Sequence, residues 1–215
     1  MILEARDLSF GYKRGEDILN GFSFAMSDQE RVGLVAPSGR GKTTLCRLLA
    51  GYLRPDRGQV LLDGLDLGRL KGYCPVQMIW QHPEKSVNPR LKMKEVLDEG
   101  DDVEPRVLEG LGIEEAWLGR YPGELSGGEI QRFCIARALG RRTKFIIADE
   151  ISTMLDLITQ SQIWSFLLKE LEARSIGLLA VTHSNALMER VARRTVILDR
   201  PASDPEGFFA LRATS

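Results

Sequence analysis

Ala36-Pro37-Ser38-Gly39-Arg40-Gly41-Lys42-Thr43-Thr44 is a glycine-rich loop ending in Gly-Lys-Thr. A polyphosphate concentrates negative charge on a few oxygens and needs several donors in one small volume. Glycine lets the backbone turn and approach closely without a Cβ clash. A loop of this kind that opens a helix points unpaired amides and the positive end of the helix dipole at the anion. Ser38, Gly39, Arg40 and Gly41 are therefore read as the cradle. Lys42 reaches the β and γ phosphates, Thr43 holds Mg²⁺, and Thr44 contacts the α-phosphate side. The usual pattern, G-x-x-x-x-G-K-[ST], has Ala36 in place of its first glycine here. The methyl group requires a negative φ at that residue.

A second segment, Leu125-Ser126-Gly127-Gly128-Glu129-Ile130-Gln131-Arg132, is followed by the apolar run Phe145-Ile146-Ile147-Ala148 and the acids Asp149-Glu150. An acid that ends a buried strand lies at the carboxyl edge of a sheet, where ligands bind in open α/β folds. Asp149 is expected to bind Mg²⁺ through a water. Glu150 is expected to orient and polarise the attacking water. The two segments together form a minimum kit for holding and hydrolysing ATP.

Positioning these groups takes a particular set of elements. The first thirty residues alternate apolar and polar positions around Gly11, Gly15 and Gly21 and read as short antiparallel strands. A strand over 31–36 runs into the loop, and a helix over 42–50 follows, with Leu45, Leu48 and Leu49 on one face and Gly51 as its stop. Val60-Leu61-Leu62 and then Asp63-Gly64 read as a strand and a tight turn. From 83 to 123 charges and helix formers dominate, punctuated by Pro83, Pro89, Pro105 and Pro122, which predicts an inserted helical subdomain. It continues through a helix near Ser126 with Ile130, Phe133, Cys134 and Ala138 at helical spacing. A strand over 145–148 follows, then a helix over 156–174 with Ile158, Trp164, Leu167, Leu168 and Leu171 inward. Strands at 178–182 and 195–198 complete an alternation that predicts an α/β domain with a mostly parallel sheet.

Leu125-Ser126-Gly127-Gly128-Glu129, Gln131-Arg132 and Ile135-Ala136-Arg137-Ala138-Leu139 resemble the signature stretch of ATP-binding cassette (ABC) ATPases, and the resemblance covers nearly the whole chain in the family's order. It implies a P-loop NTPase core (1–82 and 141–215), an N-terminal antiparallel β subdomain and a helical signature subdomain (83–140). It also implies that Ser126, Gly127, Gly128 and Glu129 contact the γ phosphate held by a second ABC ATPase subunit. Tyr12 matches the aromatic that stacks on adenine. Gln81 matches the loop glutamine that touches Mg²⁺ and the attacking water. Asp156, in Ser152-Thr153-Met154-Leu155-Asp156, matches the loop crossing the dimer interface. His183 matches the switch histidine at the γ phosphate. Glu129 stands where the family most often has glutamine, and its charge is expected to weaken the closed dimer.

Val76-Gln77-Met78-Ile79-Trp80-Gln81-His82-Pro83 through Val87-Asn88-Pro89-Arg90 is similar to the ATPases of peptide and nickel uptake systems. The resemblance implies an energy-coupling subunit of an importer for a peptide, nickel or a metal-chelate or opine-type solute. Its partners would be an integral membrane permease and a second ATPase chain, identical or different. The short stretch after 195–199, ending at Ser215, leans toward a shortened nickel-type or metallophore-type subunit. A soluble ABC protein serving an enzyme assembly, such as phosphonate breakdown, shares these motifs. A DNA-maintenance ABC ATPase is disfavoured by the short helical insert.

Bulk properties agree. At 215 residues, with 43% hydrophobic and 27% charged residues, the chain has the size and composition of a large soluble domain. A net charge of −1 gives no support for nucleic-acid binding through bulk positive charge, although Arg141, Arg142 and Lys144 lie close together. Cys46, Cys74 and Cys134 are odd in number and form no C-x-x-C pair, which predicts reduced intracellular thiols. No secretory signal and no apolar run of about 18 residues is present. The expected place is cytoplasmic, peripheral on the inner face of the cell membrane through the permease.

Overall fold

The structure is a computed structural model that describes residues 1–13, 16–37, 39–153 and 155–198. Gly15 and Ser38 of the sequence reading lie outside the described residues. Two sheets organise the chain. The first is antiparallel, in the order β2-β1-β4-β5, built from β1 (Ile2–Phe10), β2 (Leu19–Ser27), β4 (Arg57–Leu62) and β5 (Leu65–Asp66). The second is parallel, in the order β6-β7-β8-β3-β9, from β3 (Arg31–Val35), β6 (Val76–Ile79), β7 (Phe145–Asp149), β8 (Gly177–Val181) and β9 (Arg194–Ile197). The N-terminal strands are long rather than short, nine residues each in β1 and β2.

Strand alternation explains the layering. In β7, Phe145 and Ile147 face a core shared with the antiparallel sheet and helix α1 (Lys42–Leu49), while Ile146 and Ala148 face a second core with the helices. In β8, Leu179 and Val181 face the first core and Leu178 and Ala180 the second. A parallel strand covered on both faces reads as a continuous apolar run, which is why the 145–148 pattern was legible.

Helix α1 ends as its sequence demands. Gly51 takes φ 77, its N–H bonds Leu48 O at 3.0 Å, and Tyr52 N bonds Arg47 O at 2.8 Å, a Schellman closure. Asp63 and Gly64, both at positive φ, turn β4 into β5.

Between β6 and β7 lie α2 (Met93–Asp98), α3 (Pro105–Gly110), α4 (Glu115–Leu118) and α5 (Gly127–Ala138). Their apolar residues Met93, Val107 and Phe133 join Ile146 and Trp164 in the second core. Helix α6 (Leu157–Arg174) and helix α7 (Asn185–Val191) complete that layer. One helical face differs from expectation: Ile158 is 72% exposed, not inward. The cap at Asp156 sets the first turn of α6 beyond the core, and the buried face begins at Ile163 and Trp164. The cationic cluster is also neutralised, Arg142 pairing with Asp101 at 2.9 Å and Arg141 with Asp102 at 3.0 Å.

Candidate nucleotide site

The parallel sheet brings the carboxyl ends of β3, β7 and β8 to one edge. β3 delivers the loop before α1, where Gly39 and Gly41 adopt φ 77 and 83. At Gly41 the requirement is double, because a Cβ would also lie 2.5 Å from Ile18 Cγ2. Ala36 is not among the residues at positive φ, so its methyl group is accommodated as expected. Among the described residues no side chain caps the N-terminus of α1, and the first amides of such a helix start are free to face an anion. Lys42 is nearly buried and its Nζ donates to Ala36 O at 2.9 Å and Pro37 O at 3.3 Å. The ammonium thus props the loop from inside.

β7 delivers the acids. Asp149 is 2% exposed, and Thr43 hydrogen-bonds it. Burial pushes its carboxyl above the usual range; the Thr43 bond pulls it back, the Glu150 charge pushes it up, and Arg47 and Lys42 oppose that. Glu150 leaves the strand with φ 52 and its N–H bonded to Val181 O at 3.0 Å. Its two oxygens are held separately: Gln81 Nε2 donates to Oε2 at 2.8 Å, and His183 Nε2 lies 2.7 Å from Oε1. β6 and β8 each send one of these groups from just past a strand end. Sequence positions 81, 150 and 183 thus converge on one carboxylate.

Tyr12 is 56% exposed, meets Phe10 edge-on at 5.1 Å and places its hydroxyl 3.3 Å from Thr44 Oγ1. Its ring flanks the loop with an open side. Arg40 is exposed on the loop.

The Ser-Gly-Gly segment is elsewhere. Ser126 caps α5, accepting from Glu129 N at 3.3 Å, while the Glu129 carboxylate accepts from Ser126 N at 2.7 Å. This reciprocal capping box, followed by Arg120 and Arg132 nearby, holds the Glu129 carboxyl below its usual range. Gly127 and Gly128 form the first turn. Among the described residues, no hydrogen bond or ion pair joins Ser126, Gly127, Gly128 or Glu129 to Lys42, Thr43, Asp149 or Glu150. Asp156 is exposed and caps α6 through bonds from Ile158 N and Thr159 N, both 3.0 Å. Those bonds, that of Thr159 foremost, hold its carboxyl low.

The family model for ABC transporter matches residues 19–153, more than half of the chain. The chain belongs to the ABC transporter family. It is an ABC ATPase. It is similar to the oligopeptide transport ATP-binding protein OppF of Streptococcus mutans serotype c (31% identity; 92% of this chain and 71% of that protein). It is also similar to the nickel import ATP-binding protein NikE of Escherichia coli O6:K15:H31 (32% identity; 92% and 84%). Both fit the peptide and nickel branch. In fold it matches the dimeric post-hydrolysis state of the ATP-binding cassette MJ0796 bound to ADP and Pi, with a TM-score of 0.78 at 24% identity over 92% of this chain and 94% of that one.

This ABC ATPase also places beside the acids groups that the sequence reading missed. Arg47, four residues after Thr43 on α1, bears on the Asp149 carboxyl and lies 5.0 Å over the Trp80 ring. The helical i, i+4 relation to Thr43 was the available signal. Arg47, Trp80, Gln81, Thr43, Asp149 and Arg137 line one cavity of about 750 Å³ that opens between the sheet edge and α5.

Proposed function

We propose that this chain is the ATP-hydrolysing, energy-coupling subunit of an ABC importer for a peptide, nickel or a metal-chelate or opine-type solute. The names of its OppF and NikE relatives support import. The observation that carries the hydrolytic role is the convergence of Gln81 and His183 on Glu150, one residue past the buried Asp149.

Residues 1–82 and 141–215 act as the nucleotide-binding core and 83–140 as the signature subdomain. Tyr12 packs on the adenine. Gly39, Arg40 and Gly41, with Ser38, surround the phosphates, and Thr44 takes the α-phosphate side. Lys42 exchanges the carbonyls of Ala36 and Pro37 for the β and γ phosphates, a swap of neutral acceptors for charged ones. The Thr43 hydroxyl, the buried Asp149 carboxylate and the Gln81 amide oxygen are hard oxygen donors, too few for a closed cage, which suits Mg²⁺ shared with phosphates and water. When bound, Mg²⁺ neutralises phosphate charge. Gln81 and His183 each engage one oxygen of Glu150, and the lone pairs left on both oxygens can accept a proton from water. Their bonds orient the carboxylate at the mouth of the site.

Among the described residues the signature tip makes no hydrogen bond or ion pair to this cradle in the same chain. A second ATPase subunit supplies it, so that ATP closes two subunits head to tail and hydrolysis reopens them. Glu129 adds negative charge to that junction and weakens closure. The 750 Å³ cavity beside Gln81 is the place where the motion passes to the permease. No helix among the described residues is long and apolar enough to cross a membrane, so membrane attachment at the inner face goes through that permease.

The test uses the chain as bait on native membranes. Capture of a multispanning protein together with a second ATPase, or with this chain alone, supports the reading. Capture of a soluble enzyme assembly with no membrane protein overturns it.

A further inference from the structure

One side-chain cluster outside the nucleotide site joins the signature-bearing helices to the core. Glu170, in the C-terminal part of α6, is 6% exposed, and one of its oxygens makes no hydrogen bond among the described residues. Its other oxygen is bonded by Arg106 of α3, which also bonds Glu104 at 2.5 Å. One turn away, a Cβ at Gly110 would overlap the ring of Phe166. Residues four apart share a helix face. Arg106 and Gly110 therefore face Glu170 and Phe166 in antiparallel register, with contacts on two successive turns. Among the described residues this buried, half-satisfied carboxylate has one ion-pair partner, so the pair fixes the sliding position of α3 along α6.

The contact continues into α5. Immediately after α3, the Leu111 carbonyl accepts a hydrogen bond from Arg132, which stands three residues beyond Glu129 on the signature helix. Arg132 also lies 2.8 Å from where a Cβ on Gly112 would be, and Gly112 turns there with φ 63. At the other end of α6, Leu155 in the loop before Asp156 reaches Gly128, 3.2 Å from a Cβ there. The 18 residues of α6 span about 27 Å as a rod, and the signature unit is touched near both of its ends.

We propose that Arg106 and Glu170, with Phe166 seated on Gly110, are positioning residues that set the placement of the Ser126–Glu129 tip relative to the nucleotide cradle, acting through Arg132. The pair touches no reacting atom. Its role in turnover rests on the reading above, that the tip engages a partner's nucleotide. Its role in placement does not.

The test replaces the pair by two apolar side chains of similar size, Arg106→Met with Glu170→Met, which spares the fold the unpaired charge a single substitution would leave. Nitroxide labels carried by unnatural ketone amino acids at Gly123 and Arg69 leave the native thiols untouched. Gly123 has open space around it and the Arg69 side chain is 88% exposed. The expected result is a shifted or broadened Gly123-to-Arg69 distance distribution by pulsed electron resonance, kcat lowered at least about fivefold, and KM for ATP within about twofold of the parent. Arg106→Lys, which keeps the charge, recovers most of kcat, and Glu104→Gln changes kcat by less than about twofold. A distance distribution that matches the parent, or an unchanged kcat, overturns the proposal. A fall in ATP affinity equal to the fall in kcat/KM overturns it too, since it marks general loosening. If Glu150→Gln alone stays monomeric with saturating ATP and with any co-purified ATPase, the partner reading fails, and the label distances alone decide placement.

Discussion

At the cradle, Lys42 and Asp149 are almost withdrawn from water and are held by strand ends buried on both faces. At the signature tip, Ser126 is exposed and its hydrogen bonds close within a single helical turn. The first region is shaped by long-range packing and stores unfavourable electrostatics. The second is a local helix start that would form almost anywhere. On the proposed reading each is half of a phosphate site: one has cation, hydroxyl and acids, and the other has amides and a hydroxyl on a surface. Incompleteness on both sides is what one expects when a second molecule closes the reaction centre.

The contrast can be broken most forcefully at Glu150. Glu150→Gln should lower phosphate release by about 10²–10⁴-fold while ATP binding, measured by equilibrium dialysis, stays near the parent value. Wild-type turnover in that variant removes Glu150 from its role. Gly41→Ala should cost about 1–3 kcal/mol from backbone strain alone, with added overlap on Ile18, and should weaken ATP binding; thermal denaturation with and without ATP reads both. Ile18→Ala in that background should recover part of the loss, because it removes the overlap and leaves the φ.

Two serine caps sharpen the comparison. Ser126 and Ser184 both accept from an amide at 3.3 Å at the start of a helix. Ser126→Ala and Ser184→Ala should each cost about 1 kcal/mol of stability, yet only Ser126→Ala should lower turnover. Equal kinetic effects would make the tip an ordinary cap.

Asp149 offers a pH test. Burial raises its carboxyl above the unfolded value, so the native state binds that proton more tightly. The stabilisation is fully present below about pH 3.9 and is lost as pH rises through the raised value. At neutral pH the charge is a liability, and Asp149→Asn should raise the ligand-free Tm by about 2–4 °C while losing magnesium-dependent turnover. The Tm gain should shrink toward pH 4. The smallest effect is expected at Glu129, where Glu129→Gln should increase turnover by about fivefold or less, as suits a half-buried charge near the surface.

Much of the cradle was legible because its signals are local. Gly41-Lys42-Thr43 begins a helix, the buried run ends at Asp149, and Gly51 closes α1 where the sequence placed it. Ile158 was misread because helical periodicity counts faces but does not say where along α6 the neighbouring layer begins. Lys42 bonding its own loop carbonyls carries no sequence mark, since the same residue would face a phosphate with ligand present. Arg47 was within reach through its spacing from Thr43. The register of Arg106 against Glu170 was not, because the two are 64 positions apart and only the packed fold brings them together.

The backbone at Glu150 has a further implication. A left-handed conformation at a residue other than glycine costs about 1–2 kcal/mol, and asparagine or glycine would occupy it at less expense. On the proposed reading, either replacement would relieve that backbone cost but remove the base and its contacts with Gln81 and His183. On that reading, catalytic competence is kept at the expense of local backbone ease.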